Sequence, residues 1–186
     1  MDWHLGFGYS VCALLVFRLL WGFAGGHWSR FANFLYSPAT LLRYLRGQGQ
    51  DHEHLDVGHT PLGSASVYAM LLFLSAQVAS GLFADDEIAT TGPLNKYVST
   101  ATGLSATAWH KAYGQWLLLA LVALHVVAIV VYRLRGKHLV KPMLTGDKPL
   151  PPDVPPSADS LATRSLAAAL VVAVGAVAVW IARQAG

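Results

Sequence analysis

Apolar residues along the chain gather into four long runs, separated by polar and charged connections. A hydrocarbon core of ~30 Å takes ~20 apolar residues in helical form. The runs predict helices over about Leu5–Ala24, Leu62–Phe83, Trp109–Tyr132 and Ser165–Ala182. Interruptions are few: Arg18 in the first run, Lys111 at the edge of the third, and His125 inside it. Pro61, a residue suited to a first helical turn, opens the second run. The fourth run is rich in alanine and valine and is bracketed by Arg164 and Arg183. A cleavable signal peptide is not expected at the N-terminus, because no basic segment precedes the run and Arg18 breaks it. The expected fold is all-α, an integral membrane bundle of four helices.

The connections carry an orientation. Arg30, Arg43 and Arg46 follow the first run; Arg133, Arg135, Lys137, Lys141 and Lys148 follow the third. Between the second and third runs, Asp85, Asp86 and Glu87 stand against Lys96 alone. The lysine and arginine bias places the first and third connections in the cytoplasm, and the second connection and both termini outside. Leu41, Leu42, Tyr44 and Leu45 beside Arg43 and Arg46 predict a short interfacial helix. Lys148–Asp159, with five prolines, reads as a linker. The organisation expected is a membrane core over 1–146, a linker over 147–160 and a C-terminal span within 161–186. Trp3, Trp28, Trp109 and Trp180 fall near proposed boundaries, as interfacial aromatics do.

Composition narrows the chemistry. Of 186 residues 54% are hydrophobic and 12% charged, about half the charge of an ordinary soluble domain. A net charge of +3 is too small and too dispersed for a nucleic-acid partner. The single cysteine, Cys12, lies in an apolar run and excludes an internal disulfide framework, a cysteine zinc site and thioether attachment of a cofactor. There is no nucleophile–base pair, no phosphate loop and no carboxylate inside a span.

Eight histidines have unequal claims. His52 and His54, among Asp51 and Glu53, read as solvated; His27 and His138 flank helix ends on the basic side, near headgroups. His59, in VGHTPLG, reads as capping or positioning the second helix, with a ligand role open. His4, His110 and His125 lie on or within apolar helices, where an ionisable group is a functional candidate; an interhelical hydrogen bond is the alternative for each. The first and third helices run in the same direction and begin with His4 and His110, so the two imidazoles share a depth and can face across a planar ligand. HLGFG and HKAYG each place a glycine, Gly8 or Gly114, four residues on and hence on the same helix face. A flat macrocycle needs such a bare patch. His125 follows His110 by fifteen residues, roughly 22 Å along the axis and about 60° around it, one histidine to each leaflet. Arg18, about 21 Å below His4 on nearly the same face, suits an anionic group of a bound ligand or snorkels to cytoplasmic headgroups.

DWHLGFGYSVCALLVFRLLWGFAG, VGHTPLG, SGLFADD, WHKAYGQWLLLALVALHVV and GKHLVKPMLTG together resemble the bacterial membrane cytochromes b, among them cytochrome b561 and the cytochrome b subunits of nickel–iron hydrogenases. The resemblance covers most of the chain to Gly146. It implies a haem core of helices in the inner membrane, with two haems b, each held by two histidines. It also implies electron exchange with a quinone, a periplasmic cytochrome c or a redox-enzyme subunit. His4 and His110 then match the outer haem pair, and His125 one ligand of the inner haem, with Arg18 near an inner propionate. The family's fourth ligand sits on a helix preceding the one that begins at His4. One haem is therefore expected within this chain, and two if a partner helix, a further N-terminal helix, or His59 supplies the ligand. The family's histidine spacing in this helix is usually fourteen rather than fifteen. With both axial positions filled by imidazole, electron transfer is favoured over oxygen chemistry. Asp85, Asp86 and Glu87 read as solvated loop charges, or as a patch guiding a basic cytochrome. The rival readings are a histidine-dependent metal transporter and a non-redox membrane anchor.

Overall fold

The computed structural model describes residues 1–48, 55, 57–146, 149–150, 152, 154–157 and 159–184. His52 and His54, with Asp51 and Glu53, lie outside the described residues, as does Lys148 of the linker. Among the described residues there is no strand, and four helices are long and apolar enough to cross a membrane. They are α1 (Asp2–Ala24), α3 (Pro61–Phe83), a continuous rod over Thr100–Leu134, and α7 (Leu161–Ala182). The rod consists of α4 (Thr100–Ala108), a π turn (Trp109–Gly114) and α5 (Gln115–Leu134). Two short helices, α2 (Pro38–Leu45) and α6 (Val140–Thr145), lie in the connections.

Hydroxyl caps set the helix starts. Ser37, Thr60, Ser99 and Ser160 each accept a hydrogen bond from the backbone N–H three residues on, at 3.1–3.3 Å. Such caps satisfy N–H groups that the helix leaves without partners. Proline follows two of them directly, at Pro38 and Pro61. Three spans keep their expected limits to within a few residues. The third begins nine residues before the expected Trp109, because Ser99 caps a stretch of small, weakly polar residues that has little hydropathy of its own. That added helix packs on the end of α3: Thr107 Oγ1 donates to the Asp85 carbonyl at 2.7 Å and accepts from its N–H at 2.8 Å. Thr60, rather than His59, performs the capping at the second span.

Helix α3 is central, packed against α1, α4 and α5, while α1 also lies along α7. Lys96 Nζ donates to Gln184 Oε1 at 2.9 Å, bringing the end of α7 to the α3–α4 loop. Met1 borders the same loop. The start of α1 and the end of α7 therefore stand at one end of the bundle, here the terminal end. At the opposite, α2 end, Trp28 Nε1 donates to the Pro155 carbonyl at 3.0 Å, and the hydroxyls of Tyr44 and Tyr132 meet at 3.3 Å. No residue of α5 is buried, and Leu119, Leu124, Val126 and Val130 stand outward. In water this would be a large apolar patch; against lipid it is the expected surface.

Candidate functional site

At the terminal end, His4 of α1 and His110 of the π turn turn their rings toward one another, centroids 5.8 Å apart and planes at 88°. They share a cleft with Gly81, Gly92, Asp86 and Thr107. The His110 ring rests on α3 where Gly81 lacks a side chain; a Cβ there would stand 2.9 Å from Cε1. His110 Nδ1 is 3.0 Å from the Gln77 carbonyl and 3.2 Å from Ser80 Oγ. The carbonyl can only accept, so Nδ1 carries the proton and Nε2 keeps its lone pair. The α3–α4 loop closes over this end. Asp86 Oδ1 accepts from the N–H groups of Ile88, Ala89 and Thr90, which hold its carboxyl below the usual carboxylate range. Of the acidic triplet, Asp85 and Asp86 thus order their own loop, Asp85 Oδ1 taking the Glu87 N–H at 2.9 Å. Gly8 has open space beside it, whereas the corresponding patch at Gly114 is filled by the carboxamide of Gln77.

The α2 end is built differently. Arg18 donates to the Ser29 carbonyl at 3.3 Å and lies 4.9 Å from the centre of the Phe31 ring. The His59 ring packs on Phe34 at 4.6 Å, and the His59 carbonyl accepts from Tyr36 at 3.1 Å. Burial, and then the charge of Arg18, push the His59 imidazole below its ordinary value, so it is held neutral. His59 Nδ1 is buried without a hydrogen-bond partner. His27 packs edge-on against Trp28 at 4.8 Å, and His138 meets Arg133 at 3.1 Å. His125 is half-exposed on α5 and makes no hydrogen bond or ring contact among the described residues. No three histidine, cysteine, aspartate or glutamate side chains converge among them either.

The family model described as prokaryotic cytochrome b561 matches residues 1–146. The chain belongs to that family. Membership makes it a membrane cytochrome of the b type, working in electron transfer, and implies b-type haem. No curated protein and no solved structure matches the chain.

The terminal end of this cytochrome b561 relative fits the group that its family implies. Metal–imidazole bonds are about 2 Å long, so two rings sharing one metal stand roughly 6 Å apart between centres. The observed 5.8 Å is that separation. Gln77 and Ser80, which seat His110, escape a reading for ionisable residues alone. Their signal was available: polar side chains inside the apolar SAQVASGL stretch of the second span.

Proposed function

We propose that this chain is a bacterial inner-membrane cytochrome b with one haem b between His4 and His110. The observation that carries the reading is the facing pair of rings, one with its nitrogen oriented by α3. Haem b, when bound, supplies reversible one-electron storage. The chain's own residues do the rest. The Gln77 carbonyl fixes the His110 tautomer and raises its basicity, as an acceptor bonded to the far nitrogen of an imidazole ligand does. Two imidazole ligands leave no open coordination position, which favours electron transfer over oxygen activation. The open flank at Gly8 admits a flat ring. His125 and Arg18 belong to a second level, where a further haem needs one more ligand, from a partner helix, a further N-terminal helix or His59. The electron partners are a quinone and a periplasmic cytochrome c or redox-enzyme subunit. The loop-charge bias supports a periplasmic α3–α4 loop and periplasmic termini. Residues 1–146 form the haem-binding core, 147–160 a linker and 161–186 an added span.

An absorption spectrum of the purified 186-residue protein, with its haem-to-protein ratio, tests this. A low-spin b-type spectrum with a single haem per chain is expected. Protein that folds without haem and takes none on reconstitution overturns the reading.

A further inference from the structure

Between α4 and α5 the third span passes through the π turn Trp109–Gly114. Such turns are rare within α-helices and concentrate at functional sites. In an unbroken α-helix, His110 and His125 would stand about 60° apart around the axis. A π turn, bonded to the fifth residue, advances less per residue and takes back part of that offset. The turn therefore decides where His110 points, and α3 is what holds it. The main-chain carbonyl of Gln77 is 3.0 Å from His110 Nδ1, and the side-chain Nε2 of Gln77 donates to the His110 carbonyl at 3.1 Å. A Cβ on Gly114 would collide with Gln77 Oε1 and would stand 2.8 Å from the indole Nε1 of Trp109. Those two atoms are buried and lack hydrogen-bond partners. One is an acceptor and the other a donor, and they flank the same glycine.

We infer that Gln77 is the positioning residue of the histidine pair. Its carboxamide, admitted by the bare face of Gly114, donates to the His110 carbonyl and holds the π turn that aims the imidazole. The inference rests on the reading of His110 as an axial ligand. It adds a separate claim: Gly114 makes room for Gln77, whereas Gly8 makes room for a flat ligand.

The full chain, purified in detergent as wild type, Gly114→Ala, Gln77→Ala, the double variant and His110→Ala, decides the matter by haem content, melting temperature and EPR. Gly114→Ala is expected to lose most of its haem and to melt earlier. In the double variant both properties return to the level of Gln77→Ala, because the new methyl occupies space that the carboxamide has left. Gln77→Ala alone keeps its haem but shifts the low-spin EPR signal and the midpoint potential, as a reoriented imidazole does. Gln77→Met, which removes the carboxamide donor and keeps the length of the side chain, shifts the EPR signal the same way and serves if Gln77→Ala does not accumulate. The lock is overturned if Gly114→Ala is harmless, if it is equally damaging without Gln77, or if neither Gln77→Ala nor Gln77→Met moves the EPR signal. Retention of haem and spectrum by His110→Ala overturns the ligand assignment instead, whatever the other variants show.

Discussion

At the terminal end, two histidine rings from different helices face each other across a cleft, one of them seated by a main-chain carbonyl and bordered by glycine. At the α2 end, the His59 ring lies on Phe34 beside Arg18, while His125 stands by itself on the open side of α5. The contrast lies in which partners an imidazole is given. The terminal end offers a second imidazole at metal-sharing separation; the α2 end offers aromatic faces and a guanidinium. A neutral imidazole packed on rings and deprived of a hydrogen-bond partner is a structural element of the first connection. The facing pair at the terminal end borders a cleft that both rings share.

The sharpest way to break this comparison is at the terminal end. His110→Ala is expected to abolish haem binding by the isolated chain, and His4→Ala to do the same. Because each removes one side of one pair, the double variant should lose no more than either alone. Haem quantification reads this directly, and full haem content in His4→Ala would show that the rings are not partners.

The next effect is an expected lack of change. His125→Ala should leave the haem content of the isolated chain as it was, because the His125 side chain has no hydrogen-bond or ring partner among the described residues. Two haems per chain, with one lost on His125→Ala and one also on His59→Ala, would make the two ends equivalent and dissolve the contrast.

The smallest effect concerns pH. His59 titrates below its ordinary value of ~6.5 in the folded chain. The unfolded chain then takes up the proton first, so this contribution to stability is complete above about 6.5 and declines as pH falls toward the lower, folded value. Thermal unfolding in detergent should show a melting temperature that drops on acidification through this window, with the drop reduced in His59→Gln. An identical pH profile in the variant would mean that the pocket around Phe34 and Arg18 does not hold the imidazole neutral.

Much of this architecture was legible without coordinates. Run length alone located four helices, and Pro61 marked the start of one of them. The antiparallel alternation of spans sufficed to put His4 and His110 at one depth. Less legible was the start of the third span, where a capped stretch of threonine, alanine and glycine carries too little hydropathy to be seen in a search for apolar runs. The spacing from His110 marks Gly114 as a bare patch for a flat ligand, whereas the structure fills that patch with the carboxamide of Gln77.

The sequence by itself determined the number of spanning helices, their order and the end of the bundle at which His4, His110 and His59 lie, because these follow from apolar length and alternating direction. Only the tertiary structure decided what each histidine faces. Spans that are apolar on nearly every side have no polar stripe from which a rotation can be read. Their rotation is settled by close packing, where Gly81 admits the His110 ring and Gly114 admits Gln77. The π turn adds a change of phase that no regular periodicity contains.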